Sequence, residues 1–250
     1  MSRRKNRTFK EGLASELRGV ADVLSEAELV RDPSPLQLAA GACHRGDFDG
    51  DQWEYECVGL VFLVEGDHLD QYKNTIPGTL QEIEIELTVC AKGRCWERYS
   101  NDDPFEKLEV DCKITARAQG VSYVCAWHLD RNRGDPENES RYFVHPCYHF
   151  QFGGRRLPRD LGYGCFLFVE PPRLAHPPLD AILAVDFVLT NYFPDTWHQL
   201  RLEDERYARI VQQAQHRCWR PYAEAIASGW KTGDPPWKAK SIWPQLILPT

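Results

Sequence analysis

The chain has 250 residues, of which 42% are hydrophobic, and this is enough to build one large domain with a substantial apolar core. Its formal net charge of −7 argues against a nucleic-acid-binding protein, because such proteins usually carry a basic surplus. No run of about 18 apolar residues predicts a membrane span, and the start lacks the apolar segment of a signal peptide. We therefore expect a cytoplasmic protein whose nine cysteines are mostly reduced thiols.

The N-terminal segment predicts an amphipathic helix. Thr8 and Glu11 have the spacing of a capping box, in which a hydroxyl and a carboxylate each accept a hydrogen bond from a backbone N–H. Apolar residues then recur at three- and four-residue steps and form one stripe, made of Phe9, Leu13, Leu17, Val20 and Leu24. The helix should stop before residues 32–35, because proline cannot continue a helix.

The middle of the chain predicts an antiparallel β-meander. Over residues 80–89, apolar side chains alternate with glutamates, which is the pattern of a strand with one solvated face. Similar alternation recurs over 108–116 and 121–129, and an apolar run at 58–66 precedes them. A further strand is predicted at 141–150. The short connections between these runs favour antiparallel neighbours.

The last third of the chain predicts helices. Residues 177–193 open with prolines and an aspartate and continue as an apolar helix that Pro194 should end. Residues 203–219 have the pattern of an amphipathic helix. We therefore expect one α+β domain over residues 1–225, followed by an extended tail at 226–250 that is rich in tryptophan and proline.

One ten-residue stretch, HPCYHFQFGG, contains residue types that bind metals or support a nucleophile. His145, Cys147 and His149 alternate along it and would project from one face of a strand. Zinc accepts imidazole and thiolate ligands, and His176 or Cys165 could complete a tetrahedral set. The spacing matches no standard zinc motif, so an ordinary structural role for each histidine is the alternative.

Cys165 is the second candidate for chemistry. It follows Gly-Tyr-Gly and precedes an apolar run, so a glycine-rich turn would leave room for a bulky acyl group. A thiol becomes an effective nucleophile when a nearby histidine or a helix N-terminus lowers its pKa. The candidate histidines are His145, His149 and His176. The alternative is that Cys165 is one of nine ordinary, partly buried thiols.

The order of these elements resembles that of the ubiquitin-conjugating (E2) family. That family has an N-terminal helix, a meander, a His-Pro-Asn tripeptide, an active cysteine, a crossing helix and C-terminal helices. His145 and Pro146 match the start of the tripeptide, Cys165 matches the active cysteine, and residues 176–189 match the segment after it. Cys147 stands where the family has asparagine, and the gap to the cysteine is longer than usual.

A second resemblance concerns a family of bacterial ubiquitin-like operons that is named for Cys, Glu, His and His. Cys165, Glu170, His176 and His198 occur in that order here. Four common residue types in a given order are a less specific signal than the arrangement of elements.

The E2 resemblance implies an α+β, E2-like fold with helices on one face of the meander, and acyl carriage in a bacterial ubiquitin-like conjugation pathway. Cys165 would accept a ubiquitin-like modifier from an adenylating (E1-like) enzyme as a thioester and pass it to an amine. His145 would support the loop, and His176 or His149 would tune the thiol or take the amine proton. Tyr163 or a backbone N–H would stabilise the oxyanion in place of the missing asparagine. No cofactor is implied.

Two other functions stay open. One is a structural or hydrolytic zinc protein that binds Zn²⁺ through His145, Cys147, His149 and His176. The other is a non-catalytic module of E2 fold that docks on a partner through its tryptophan-rich tail. Metal content tests the first, and the pathway activity of a Cys165→Ser variant tests the second.

Overall fold

A computed structural model describes residues 3–43, 50–66, 69, 80–95, 102–131, 146–153, 174–230 and 237–243. In chain order, the helices and strands are α1 (Arg3–Glu26), α2 (Ser34–Ala42), β1 (Gln52–Val64), β2 (Glu82–Arg94), β3 (Phe105–Ala118), β4 (Val121–Arg131), β5 (Tyr148–Phe152), β6 (Leu174–Ala175), α3 (Ala181–Tyr192), α4 (Pro194–Glu203), α5 (Glu205–Ser228) and α6 (Ala239–Ile242). The expected α+β meander with an N-terminal helix is confirmed. Within the described ranges, no helix is both long and apolar enough to cross a bilayer.

The sheet has six antiparallel strands that lie side by side in the order of the chain. Strand β2 shows the predicted alternation, because its apolar residues from Ile83 to Val89 are buried and the glutamates between them are partly exposed. The pairing of β1 with β2 shifts between Cys57 and Leu60. Gly59 lies within this bulge with a φ of +71°, a conformation that costs glycine little and other residues more.

Helices α1, α3 and α5 contact one another and pack over the apolar face of the sheet. The predicted stripe on α1 is confirmed, since its leucines and Val20 are buried and Phe9 is partly buried against the core. Aromatic rings join the layers: Trp127 of β4 lies 5.1 Å from Phe187 of α3, measured between ring centroids. We call the opposite side of the sheet the outer face.

Charged side chains also lie between the helices. Arg217 of α5 donates to Glu16 of α1 at 2.8 Å and to Asp180 at 2.7 Å. Asp180 also caps α3, because its carboxylate accepts the backbone N–H of Leu183 at 2.9 Å. Both Arg217 and Asp180 are buried. One guanidinium thus connects the start of α3 to the other two helices.

The helices differ from the prediction in several places. α1 already includes Arg3, so Thr8 lies inside the helix and its hydroxyl donates to the carbonyl of Arg4 at 3.0 Å. The predicted capping box is therefore wrong, because a hydroxyl within a helix bonds to the carbonyl one turn earlier. α2 was not predicted at all. Pro194 not only follows α3 but also occupies the first turn of α4, where its missing N–H costs nothing.

The C-terminal segment packs on the domain where the structure describes it. α5 continues through residue 225 to Ser228, and Trp237 and Ile242 are buried in the core. The Trp237 ring lies 6.1 Å from the ring of Tyr148 on β5. The backbone N–H of Cys147 donates to the carbonyl of Ile242 at 3.1 Å. The division of the chain at residue 225 stays a prediction.

Candidate metal site

Three side chains of metal-binding type meet on the outer face. His128 and Asp130 are alternate residues of β4, and His149 on β5 pairs directly with Asp130. Alternation along the strands places all three on the same face. One ligand atom of each residue lies within 4.8 Å of the other two, and His128 Nε2 lies 3.8 Å from Asp130 Oδ2. We call these three residues the outer cluster.

The distances in the outer cluster suit an ion with small adjustments. Donors that bind zinc at 2.0–2.2 Å lie about 3 Å from one another, so each side chain would move by roughly 1 Å or less. His128 directs Nε2 towards Asp130, and its Nδ1 lies 3.5 Å from the carbonyl oxygen of Gly153. Proteins usually fix the orientation of a metal-binding imidazole through a hydrogen bond from its second ring nitrogen, for example to a backbone carbonyl.

The outer cluster is sheltered but accessible to solvent. His149 is buried, while the side chains of His128 and Asp130 are 12% and 21% exposed. Glu84 of β2 lies on the same face and is 35% exposed. The outer face is therefore exposed to solvent at Glu84 of β2, whereas the polar side chains around β4 and β5 on the same face are less exposed.

Further polar residues are buried next to the outer cluster, where neighbouring strands pair with His128. Asp111 of β3 and Gln151 of β5 pair with His128 from its two sides. Both are buried although they are polar, and Thr88 of β2, which pairs with Asp111, is buried as well. Buried polar side chains are costly unless they find partners, so each of these residues needs a hydrogen-bond partner within this part of the face.

His176, one of the predicted site residues, lies on the helix side of the sheet. Its ring is 5.8 Å from Phe150 and 6.0 Å from Phe187. Phe150 follows His149 in β5 and therefore projects from the opposite face. The Nδ1–H of His176 donates to the carbonyl of Pro177 at 2.6 Å, and burial lowers the pKa of the ring despite this bond.

Cys147 lies in a separate, partly buried cluster. Its Sγ donates to the carboxylate of Asp103 at 3.9 Å. The same carboxylate forms an ion pair with Arg131 at 2.9 Å and accepts a hydrogen bond from the hydroxyl of Tyr148. Burial, reinforced by the charge of Asp103, raises the pKa of Cys147 to about 12. The thiol form is therefore strongly favoured, which suits neither a nucleophile nor a thiolate ligand.

The structure thus does not bring Cys147, His149 and His176 together. Cys165, His145 and Tyr163 lie outside the described residues, so their predicted roles stay predictions. His149 is the predicted metal ligand that the structure does place in a cluster.

Reasoning from the sequence missed His128 and Asp130. Their signal was a histidine and an aspartate two residues apart on an alternating strand, which places both on one face. Their proximity to His149 depends on the pairing of β4 with β5, and the 16 residues between these strands are too long a connection for a two-residue turn to set that register.

Comparisons with known proteins identify no family. No family model matches the chain, and no curated protein or solved structure matches it. The function must therefore be argued from the fold and from the chemistry of the outer cluster.

Proposed function

We propose that the chain is a metalloprotein that binds one divalent transition-metal ion, Zn²⁺ above all, through His128, Asp130 and His149. The convergence of two imidazoles and a carboxylate on one face of β4 and β5 is the observation that supports the proposal. Zinc uses all three of these donor types. Zinc binding was one of the alternatives expected from the sequence. His149 belongs to both ligand sets, and His128 and Asp130 are the new ligands.

A plain ion pair accounts for the outer cluster less well. An ion pair between a protonated His128 and Asp130 involves only two of the three side chains. A shared cation involves all three, because it binds both neutral rings and attracts the carboxylate.

The experiment measures metal in the purified chain and then the affinity of the metal-free chain for Zn²⁺. About one zinc per chain is expected. Replacing a ligand, as in His128→Ala or His149→Ala, should weaken binding by more than about tenfold, since changes in the residues that merely orient ligands already cost 10- to 100-fold. His216→Ala is the matched control, because His216 is exposed on α5.

Two results would contradict the proposal. One is a wild-type chain that binds neither Zn²⁺ nor Co²⁺. The other is a pair of ligand variants with the same affinity as the wild type. Circular dichroism and thermal unfolding of each variant establish that a loss of metal is not a loss of fold.

A second candidate function is E2-like acyl carriage on Cys165. The order of elements favours it: an N-terminal helix and a meander precede the segment that contains Cys165, and α3 and α5 follow it. In this function, Cys165 would take a ubiquitin-like modifier from an adenylating enzyme as a thioester and transfer it to an amine. His145 would support the loop, as the resemblance to E2 enzymes implies, and Tyr163 or a backbone N–H would stabilise the oxyanion.

This second candidate is tested by incubating the chain with a bacterial ubiquitin-like protein and its adenylating enzyme. With ATP, the chain should form an adduct that a reducing agent releases. Cys165→Ala should abolish the adduct, and Cys147→Ala should retain it, because the buried Cys147 thiol resists ionisation. An adduct on Cys165→Ala would refute the thioester role. Normal pathway activity of Cys165→Ser would instead favour a non-catalytic interaction module.

A further inference from the structure

The three donors of the outer cluster come from one face of a single sheet, and this restricts their positions around an ion. Side chains on one face of paired strands start from a common layer and project in the same direction. His128, Asp130 and His149 would therefore all approach an ion from the sheet side. None of the three can reach the side of the ion that points away from the sheet.

We infer that an ion bound here keeps an open coordination position away from the sheet, where it binds water and a small oxygen-donor substrate that displaces the water. The inference rests on the proposed metal function. Across the described ranges, no fourth His, Cys, Asp or Glu joins the three within the same distance. Structural zinc sites use four protein ligands, whereas catalytic sites use three and leave one position to water or substrate.

The neighbouring residues provide polar contacts for such a ligand. Asp111 and Gln151 pair with His128 from its two sides and lie on the same face. Directly paired side chains have Cβ atoms about 4.5–5.5 Å apart, so both residues lie next to His128, one of the three proposed ligands. A carboxylate accepts a hydrogen bond from bound water, and an amide N–H donates one to a substrate oxygen. The partial exposure of Asp130 provides access from solvent.

The donor set allows more than one metal, but the open position is common to them. Two imidazoles and one carboxylate occur in catalytic zinc sites and also in non-haem iron(II) sites, and both kinds bind a substrate or small molecule at the metal. The open position is therefore the property to test, and the test does not depend on which of these metals the cell supplies.

The test uses Co²⁺ as a visible substitute for Zn²⁺ and azide as the small ligand. The full chain, freed of metal and loaded with Co²⁺, is titrated with azide while its visible absorption is recorded. We expect a saturable change in the ligand-field bands. A spectrum that does not respond contradicts the inference and leaves metal binding intact. A chain that binds neither Co²⁺ nor Zn²⁺ contradicts the proposed metal function itself.

His145 provides an internal comparison, because it belongs to the ligand set predicted from the sequence. We expect azide to bind the wild type and His145→Ala equally well. Azide binding that appears only in His145→Ala would show that this histidine closes the fourth position, and it would overturn the inference.

Gln151→Leu tests the polar surroundings of the open position. It should retain Co²⁺ affinity and weaken azide binding by about three- to tenfold, which is the worth of one hydrogen bond. Glu84→Gln on the same face is the control and should change neither affinity. Unchanged azide binding in Gln151→Leu would contradict the assigned role of this amide.

Discussion

Two clusters of buried polar side chains lie on opposite sides of the sheet, and their chemistry differs. On the helix side, the guanidinium of Arg217 lies between the carboxylates of Glu16 and Asp180. On the outer face, two imidazoles and one carboxylate converge. The helix-side cluster contains a permanent cation, whereas the charge of an imidazole depends on pH or on a bound ion. The burial of polar side chains alone therefore does not indicate function. The chemical types of the side-chain groups that converge do indicate it.

The helix-side cluster has the properties of a structural ion pair. Burial alone would lower the pKa of Arg217, but the charges of Glu16 and Asp180 outweigh it and hold that pKa well above its ordinary value. The guanidinium is thus charged at every pH at which the protein is folded. Its role is to hold three helices together, and no step of chemistry is needed to explain it.

The largest expected effect follows from removing this cation. Arg217→Met should lower the free energy of unfolding by about 3–5 kcal/mol, because it leaves two carboxylates buried without their partner. Urea denaturation measures the loss. The control is Arg206→Met, which removes an ion pair with the largely exposed Glu26 and should cost at most about 1 kcal/mol. Equal losses in the two variants would contradict the structural role of Arg217.

The second effect concerns the outer cluster. Zn²⁺ at a hundred times its dissociation constant should raise the free energy of unfolding by about 2.7 kcal/mol, since it binds the folded chain only. A chelator should reverse the increase, and His149→Ala should lack it. Arg217→Met should show the same increase as the wild type, because distant sites act additively. A zinc effect that disappears in Arg217→Met would mean that the two clusters are coupled.

The third effect is the pH dependence of metal binding. Each imidazole must be neutral to bind an ion, so protons compete with Zn²⁺ and its affinity should fall as the pH is lowered from about 8 to about 5. Calorimetric titrations at both ends of this range measure the change. A constant affinity across this range would exclude the histidines as ligands.

The smallest expected effect belongs to His176, the histidine on the helix side. Burial lowers the pKa of His176 in the folded chain. In the unfolded chain, histidines titrate at about 6.5, so the unfolded chain takes up this proton first as the pH falls. Its contribution to stability is therefore complete above that pH and is lost as the pH falls towards the folded-state pKa. Thermal unfolding measured at a series of acidic pH values should show a smaller loss of stability in His176→Phe than in the wild type. An equal loss in the two proteins would refute this.

The sheet could be predicted from the sequence because its signal is local. Glu82 to Val89 alternate strictly, and the structure confirms the strand and its solvated face. The start of α1 could not be placed in the same way, since Thr8 and Glu11 fit a capping box equally well inside a helix. The outer cluster needed information of another kind. Its assembly depends on which residue of β5 pairs with Asp130, and no local pattern specifies that.

The contact between the C-terminal segment and β5 has a consequence for the integrity of the protein. Trp237 and Ile242 cover the start of β5 and the ring of Tyr148. Proteolytic trimming after residue 230 would uncover these apolar surfaces. Among the residues that the structure describes, only the two-residue β6 lies beyond β5, so β5 is close to the margin of the sheet. Exposed strands at a sheet margin pair readily with other molecules. A trimmed chain should therefore self-associate and lose solubility.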